Sequence, residues 1–183
     1  PLTQSEVQRI HSAALDALEE IGLSQAPPSG IKAMTEAGAL LGDDGRLRFP
    51  RSLVEDMLAK AARNITLHGR DPKYDLHLTE NRVHFGTAGA AVHVVDPITR
   101  EYRESTTPDL YDAARLTQNL DNLHFFQRAM VCCEITDNLD LDLNTIYASY
   151  CGTQKHIGTS FSDPSFVAPC AELIYLLAGG EDA

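Results

Sequence analysis

The sequence has few basic residues, no pair of cysteines at the spacing of a zinc site and no long apolar run. Each of these absences argues against a class of protein. Its 183 residues include 15 lysines and arginines against 26 aspartates and glutamates, a formal net charge of -11. This balance argues against a nucleic-acid partner, because binding to phosphates needs a basic surface. No apolar run approaches the ~20 residues of a membrane helix, and the first residues lack the basic and apolar regions of a signal peptide. We therefore expect a cytoplasmic protein with no membrane partner.

The cysteines give no sign of a metal site or of disulfides. No C-x-x-C or comparable spacing suited to zinc occurs, and the adjacent pair would alternate between the two faces of a strand. We expect reduced, mostly buried thiols. The four residues are Cys132, Cys133, Cys151 and Cys170.

The first part of the chain, residues 1–81, reads as helices followed by short strands. Thr3 and Glu6 have the spacing of a capping box, and Gly22 is suited to end the helix that follows. That helix has an apolar stripe that we expect to pack, formed by Val7, Ile10, Ala14, Leu18 and Ile21. Further helices are expected at about 30–37, capped by Ser29, and after Pro50; strands are expected at 65–68 and 74–78.

The second part, residues 82–183, alternates between strands and helices. Strands are expected at 83–85, 91–95, 123–131 and 155–161, and helices after Thr107 as N-cap, at about 141–150 and at about 165–177. An alternating order of this kind predicts parallel strands joined by helical crossovers, an α/β architecture. About three strand–helix units fall in roughly 100 residues, close to the spacing of an eight-fold barrel.

No short motif in this part identifies a chemistry. Gly86 and Gly89 are followed by a strand pattern rather than a helix, and no lysine lies near them, so neither a dinucleotide fingerprint nor a P-loop fits. His77, His84 and His93 lack metal-ligand spacing, and we expect structural or surface roles for them. The chain also has no G-x-S-x-G elbow, and its acidic run at 137–142 lacks the features of a calcium loop.

Several stretches, taken in order, resemble the trimethylamine methyltransferase family, the corrinoid-dependent methylamine and betaine methyltransferases. They are LTQSEVQRIHSAALDALEEIGL, LHGRDPKYDLHL, FGTAGAAVHVVDPITREYRESTTPDLYDAARLTQNLDNLHFF and TQKHIGTSF. The resemblance implies a TIM (β/α)8 barrel preceded by N-terminal helices, in proteins far longer than 183 residues. We therefore expect this chain to be an N-terminal portion with an incomplete barrel, inactive alone.

The resemblance also implies an activity and its partners. The expected reaction moves a methyl group from a methylated amine, either trimethylamine or a quaternary amine such as glycine betaine, to cobalt. The cobalt belongs to a corrinoid (cobalamin-type) carried by a cognate corrinoid protein, so no cofactor is expected to bind this chain directly. A homo-oligomer is expected, and no metal site. Some family members use pyrrolysine and others do not, and this chain leaves that division open.

No residue of this chain matches a catalytic motif, so the candidate site rests on barrel geometry. Ligand contacts in a barrel come from the carboxyl ends of the strands. The alternative for each candidate is packing of the barrel core or a loop. The substrate- or corrinoid-facing candidates are Gly86, Thr87, Gly89, Met130, Cys132, Thr159, Ser160 and Phe161.

Two other functions remain as alternatives. A naturally truncated paralogue could bind a small cation or a partner protein without turnover. A different barrel enzyme, such as a metal-dependent hydrolase, would carry an early H-x-H motif on its first strand, and the sequence has none.

Overall fold

The chain folds as two compact units, Pro1–Ala62 and Arg63–Ala183, and the computed structural model describes residues 1–79 and 81–180. No helix among these residues is long and apolar enough to cross a membrane. The domain boundary expected after residue 81 stays a prediction. The helices are α1 (Gln4–Asp16), α2 (Pro28–Glu36), α3 (Arg51–Lys60), α4 (Thr107–Gln118), α5 (Asn138–Gly152) and α6 (Val167–Leu177). The strands are β1 (Leu40–Leu41), β2 (Leu47–Arg48), β3 (Ile65–Leu67), β4 (Leu76–Leu78), β5 (His93–Val95), β6 (Tyr102–Glu104), β7 (Phe125–Gln127) and β8 (His156–Gly158).

The start and the end of α1 follow the sequence prediction. The carboxylate of Glu6 accepts a hydrogen bond from the backbone N–H of Thr3 (2.7 Å), and the Thr3 hydroxyl accepts one from the N–H of Glu6 (3.3 Å), which confirms the capping box. The helix continues into a π-helical turn, Ala17–Ile21, and ends at Gly22 with φ +66°. A side chain at Gly22 would collide with the carbonyl of Leu47.

The predicted apolar stripe of α1 does not form the core of the first unit. Val7, Ile10 and Ile21 are 45%, 59% and 58% exposed, whereas Leu15, which lies outside the stripe, is buried. The expectation that the stripe packs is therefore wrong for these three residues. The buried hydrophobic residues of the first unit are Leu15, Ala39 and Leu47, so the helix buries a different part of its surface from the predicted stripe.

The predicted cap of α2 also differs from the structure. The helix begins at Pro28, with Pro27 as N-cap and no side-chain cap, rather than after Ser29. Proline fixes φ near the helical value and lacks an N–H that would need a partner, so it opens the helix without a capping side chain.

Three parallel segments form the sheet of the second unit. Residues 85–91 bridge to the middle segment at Gly86–Phe125 and Ala91–Met130, and β7 pairs with β8 in parallel, with Phe125 opposite His156. The antiparallel hairpin of β5 and β6 lies between segment 85–91 and α4. Helices α4, α5 and α6 follow the three segments in turn, which confirms the α/β architecture.

Helices α4 and α5 cover one face of this sheet. Leu110, Ala114, Phe126, Cys132 and Ala148 form its buried core. α4 begins one residue earlier than predicted, because the Asp109 carboxylate accepts from both the N–H and the hydroxyl of Thr106 (2.9 and 2.7 Å). α5 begins at Asn138, capped by the Asp137 carboxylate, which accepts from two backbone N–H groups.

The hairpin of β3 and β4 lies at the amino ends of the parallel strands. The backbone N–H of Arg70 donates to the carbonyl of Gln154 (2.8 Å), and its guanidinium donates to the carbonyl of Tyr150 (2.6 Å). Gln118 of α4 donates to the hydroxyl of Tyr74 (2.7 Å). These contacts place the hairpin in the same compact unit as the sheet.

Candidate functional site

The carboxyl ends of the three parallel segments lie side by side at one edge of the sheet. The bridge between Ala91 and Met130 brings the first two together, and the pairing of Gln127 with Gly158 brings the second and third together. Ligands of parallel α/β sheets bind at this end, because the strands stop there and the loops begin. The predicted site residues all belong to this end of the sheet or precede it by a few positions.

Thr87 joins two neighbouring segments through its hydroxyl. Its Oγ1 donates to the carbonyl oxygen of Gln127 (2.5 Å) and accepts from the N–H of the same residue (2.9 Å). A side-chain hydroxyl thus replaces backbone pairing between segment 85–91 and β7. Because the Thr87 hydroxyl already donates its proton to a backbone carbonyl, it cannot donate the same proton to a ligand.

Glycine is favoured at the two glycine positions of segment 85–91 for different physical reasons. A Cβ at Gly86 would overlap three ring atoms of Phe125, so the space beside Gly86 is filled by that ring. Gly89 has φ +109°, a conformation that side-chain-bearing residues rarely adopt, and its nearest neighbours lie 3.8 Å from a built Cβ. Gly86 therefore makes room for Phe125, whereas Gly89 turns the backbone.

The predicted residues Met130 and Cys132 lie on the side of the sheet that the helices cover. Phe126 and Cys132 are fully buried under the helices, and Met130 packs against the same core. Burial raises the pKa of the Cys132 thiol, with a minor opposite effect of hydrogen bonding, so the thiol stays neutral. These positions favour the packing alternative for Met130 and Cys132.

Phe125 and Gln127 project from the other side of the same strand, because successive residues alternate. We call this side, turned away from α4 and α5, the helix-free face. The Gln127 side chain lies over Gly158, with its amide nitrogen 3.6 Å from a built Cβ and its oxygen closer. Sequence reasoning missed both residues, because alternation identifies them only once the structure shows that Phe126 is buried.

The third strand ends in the segment that carries Thr159, Ser160 and Phe161. The Phe161 side chain is 37% exposed, and Ser160 is exposed as well. The next residue, Ser162, anchors this segment by donating its N–H and its hydroxyl to the buried carboxylate of Asp142 (2.7 and 3.1 Å). Thr159, Ser160 and Phe161 therefore lie on a fixed segment beyond β8.

A buried serine connects the ends of the first two segments. The Ser105 hydroxyl lies 3.0 Å from the carbonyl oxygen of Ala91 and 2.8 Å from that of Val131. The Ser105 carbonyl accepts from the N–H of Cys133 (3.0 Å). This hydroxyl can donate to only one of the two carbonyls at a time, and Ser105, which follows β6 directly, is fully buried.

An ion-pair cluster fixes the hairpin of β5 and β6 to the start of α4. The guanidinium of Arg103 donates to the carboxylates of Asp96 and Asp109 at 2.7–3.2 Å. Arg103 holds the pKa of Asp109 well below its usual range, with weaker help from Thr106. The N–H groups of Thr99 and Ile98, followed by Arg103, lower the pKa of Asp96 to about 2.

The histidines of the second unit do not come together as a metal site. His93 stacks on Tyr102 at 4.7 Å, His77 meets the hydroxyl of Thr66 at 3.0 Å, and His84 contacts His124 edge-on at 5.4 Å. Within the described ranges 1–79 and 81–180, no group of three histidine, cysteine, aspartate or glutamate side chains could hold a metal ion.

Comparison with known proteins gives consistent matches along the chain. A sequence model of the trimethylamine methyltransferase (MTTB) family matches residues 1–183. Trimethylamine methyltransferase MttB of Desulfitobacterium hafniense is 27% identical over 181 residues, 98% of this chain and 36% of the relative. Glycine betaine methyltransferase from another strain of that species is 24% identical, over 99% of this chain and 37% of the relative. Trimethylamine methyltransferase MttB1 of Methanosarcina mazei is 24% identical over 84% of this chain and 32% of the relative.

This chain spans about a third of the length of these relatives. Because the family match extends over every residue of the chain, the chain belongs to the trimethylamine methyltransferase family.

Proposed function

We propose that this chain belongs to a methyltransferase that moves a methyl group from a methylated amine to the cobalt of a corrinoid protein. The family match over residues 1–183 carries the proposal, and the relatives named for trimethylamine and for glycine betaine support both amines as substrates. A corrinoid on the partner protein supplies the cobalt that accepts the methyl group. The task of this protein is to bind and orient the amine.

The same proposal includes a TIM barrel whose first three units lie in this chain. Segment 85–91, β7 and β8 are parallel and adjacent in that order, which supports the proposal. A closed barrel leaves no sheet edge unpaired, whereas segment 85–91 and β8 each pair on one side only among the described residues. The remaining units would come from additional chain, so we expect the 183 residues alone to be inactive.

The helix-free face and the end of the third strand offer groups suited to a methylated ammonium ion. Aromatic faces such as those of Phe125 and Phe161 attract cations through the ring quadrupole. The amide nitrogen of Gln127 can donate to a carboxylate, which glycine betaine has and trimethylamine lacks. A substrate held there would present its N-methyl group towards the loops, where the corrinoid partner approaches.

The deciding experiment is a methyl-transfer assay with the protein in its full natural length and its corrinoid partner. Trimethylamine, glycine betaine and another quaternary amine are compared, and methylcobalamin formation is followed by absorbance. Methyl transfer from at least one N-methyl compound supports the proposal. Binding without transfer would instead support the alternative of a protein that binds a small cation without turnover.

A variant of Phe161 tests the aromatic contact. We expect Phe161→Leu to lower kcat/KM by about 2- to 30-fold, the equivalent of ~0.5–2 kcal/mol for a cation–π contact, and Phe161→Tyr to retain activity. Phe166→Leu is the matched control, because it removes a ring that follows the fixed segment and lies outside the proposed site. Equal kcat/KM for Phe161→Leu and the unmodified protein would remove Phe161 from the site.

Size-exclusion chromatography of the same protein tests the expected homo-oligomer.

A further inference from the structure

A cavity of about 440 Å³ opens at the amino ends of the parallel strands, the end opposite to the proposed amine site. His84, His124 and Lys155, which each precede a strand, form one wall, and Tyr74 of the β3–β4 connection forms another. The volume lies within the ~300–1,000 Å³ of small-molecule sites. The proposed methyl transfer gives this cavity no role.

His84 has hydrogen-bonding capacity that the described protein leaves unused. Both of its ring nitrogens are shielded from solvent, and neither has a hydrogen-bond partner among the described residues. A neutral imidazole always has one donor and one acceptor nitrogen. Unpaired buried polar atoms are costly and uncommon in folded proteins, so two of them on a residue that lines a cavity point to a ligand.

The neighbouring groups supply further donors. The N–H of Phe85 donates to Nδ1 of His124 (2.9 Å), so neutral His124 carries its proton on Nε2. The hydroxyl of Tyr74 accepts from the amide of Gln118 (2.7 Å), which leaves the Tyr74 proton free to be donated to a ligand. His84, His124 and Tyr74 therefore line one cavity with three potential donors.

The cavity has a buried positive charge in its wall, although the whole chain is acidic. Among the described lining residues, three side chains are basic (Lys73, Arg82 and Lys155) and two are acidic (Asp75 and Asp121). The ammonium of Lys155, which is only 5% exposed, is held by the carbonyls of residues 117, 120 and 123 at 2.7–2.9 Å rather than by a carboxylate. The carboxylate of Asp75 is already engaged by His68 and by the N–H of Gly69. Lys73 is paired with Asp71 (2.8 Å), so Lys155 is the buried positive charge of the cavity.

We propose that this cavity binds the oxyanion group of a small metabolite, with His84, His124 and Tyr74 as hydrogen-bond donors and Lys155 as a fixed positive charge. The site is distinct from the amine site and independent of methyl transfer. The oxyanion is a phosphate or a carboxylate group, and the two are separated by the probes below.

Thermal unfolding of the protein in its full natural length tests the proposal. Phosphate, acetate and chloride are compared at equal ionic strength, and the affinity for each oxyanion is measured by titration calorimetry. We expect phosphate or acetate to raise Tm by about 3 °C over chloride, as expected for a ligand that binds only the folded state. No increase over chloride for either oxyanion overturns the proposal.

Variants locate the binding. His84→Leu removes the unpaired nitrogens, so it should keep or raise Tm in chloride while abolishing the oxyanion-dependent increase. Tyr74→Phe should weaken oxyanion binding by about 3- to 10-fold through loss of one hydrogen bond. His93→Leu is the matched control, since His93 lies on the β5–β6 hairpin away from the cavity, and it should bind as the unmodified protein does. A lower Tm of His84→Leu in chloride would mean that His84 has a protein partner, and an unchanged oxyanion effect would place the anion elsewhere; either result overturns the assignment.

Discussion

Replacing Gly86 by alanine tests whether this glycine serves the sheet or leaves space for a ligand. In the structure a Cβ at this position would overlap the Cδ2, Cε2 and Cζ atoms of Phe125, so the ring or the strand must move. Overpacking of this kind costs about 1–3 kcal/mol, and the gain from restricting the unfolded chain returns about 0.4–1 kcal/mol. We expect a net loss of about 1–2 kcal/mol in the free energy of unfolding.

The measurement is thermal and urea unfolding of the protein in its full natural length, with two comparisons. Gly30→Ala is the matched control, because a Cβ there lies 3.4 Å from the nearest atom, within α2, where alanine favours the helix by up to ~1 kcal/mol. The second comparison is Gly86→Ala in a Phe125→Ala background. If the ring causes the cost, most of the loss disappears there, as a coupling free energy of about 1 kcal/mol or more.

A neutral Gly86→Ala variant would refute this reasoning. It would mean that the space beside Gly86 is open in solution, and the expectation that Gly86 faces the substrate or the corrinoid would gain support. A loss of stability that persists without the Phe125 ring would instead assign the cost to the backbone. Only the loss that depends on Phe125 agrees with the structure.

Two further predictions concern charged groups of the second unit. Lys155→Met should lower the free energy of unfolding in urea by about 2–3 kcal/mol, because three carbonyls lose a charged donor; Lys60→Met on exposed α3 is the control, and equal stabilities would contradict the contact. For Asp96 and Asp109, the folded-state pKa values lie below the unfolded value of ~3.9, so their contribution to stability is complete above about pH 4 and is lost as the pH falls towards 2. Calorimetry from pH 5 to pH 2.5 should find a steeper loss of Tm for the unmodified protein than for Arg103→Met, and parallel curves would contradict the role of the cluster.

The parts of the fold that sequence patterns predicted are those decided within a few residues. The capping box of Thr3 and Glu6 and the turn at Gly22 depend only on neighbours along the chain, and both are present. The N-cap of α4 was missed by one position, since two threonines precede Pro108 and only the spacing from Thr106 to Asp109 lets the carboxylate reach back. Residues close in the chain therefore determine these helix ends, and the N-cap of α4 differs from the prediction only in which of two adjacent threonines it is.

The facing of strand residues could not be predicted in the same way. Met130 and Cys132 are candidate site residues because they lie at the end of a predicted strand. Which side of the sheet α4 and α5 cover depends on tertiary packing. Once Phe126 is known to be buried under those helices, alternation puts Met130 and Cys132 on the covered side. A strand sequence with apolar residues on both faces, as parallel strands commonly have, does not reveal this.

The glycines on either side of β7 restrict where an amine could lie. Gly86 on one neighbour and Gly158 on the other leave space that the side chains of Phe125 and Gln127 already occupy, so the helix-free face is filled at that level of the sheet. A ligand of the proposed site would therefore lie towards the carboxyl ends of the strands, with the side chains of Phe125 and Gln127 beneath it. The hydroxyl of Thr87 is engaged by the backbone of Gln127, and it holds the layer together beneath such a ligand. Contact of Thr159, Ser160 and Phe161 with a substrate stays a prediction. The structural contacts of Gly86, Thr87, Met130 and Cys132 favour packing for these four residues.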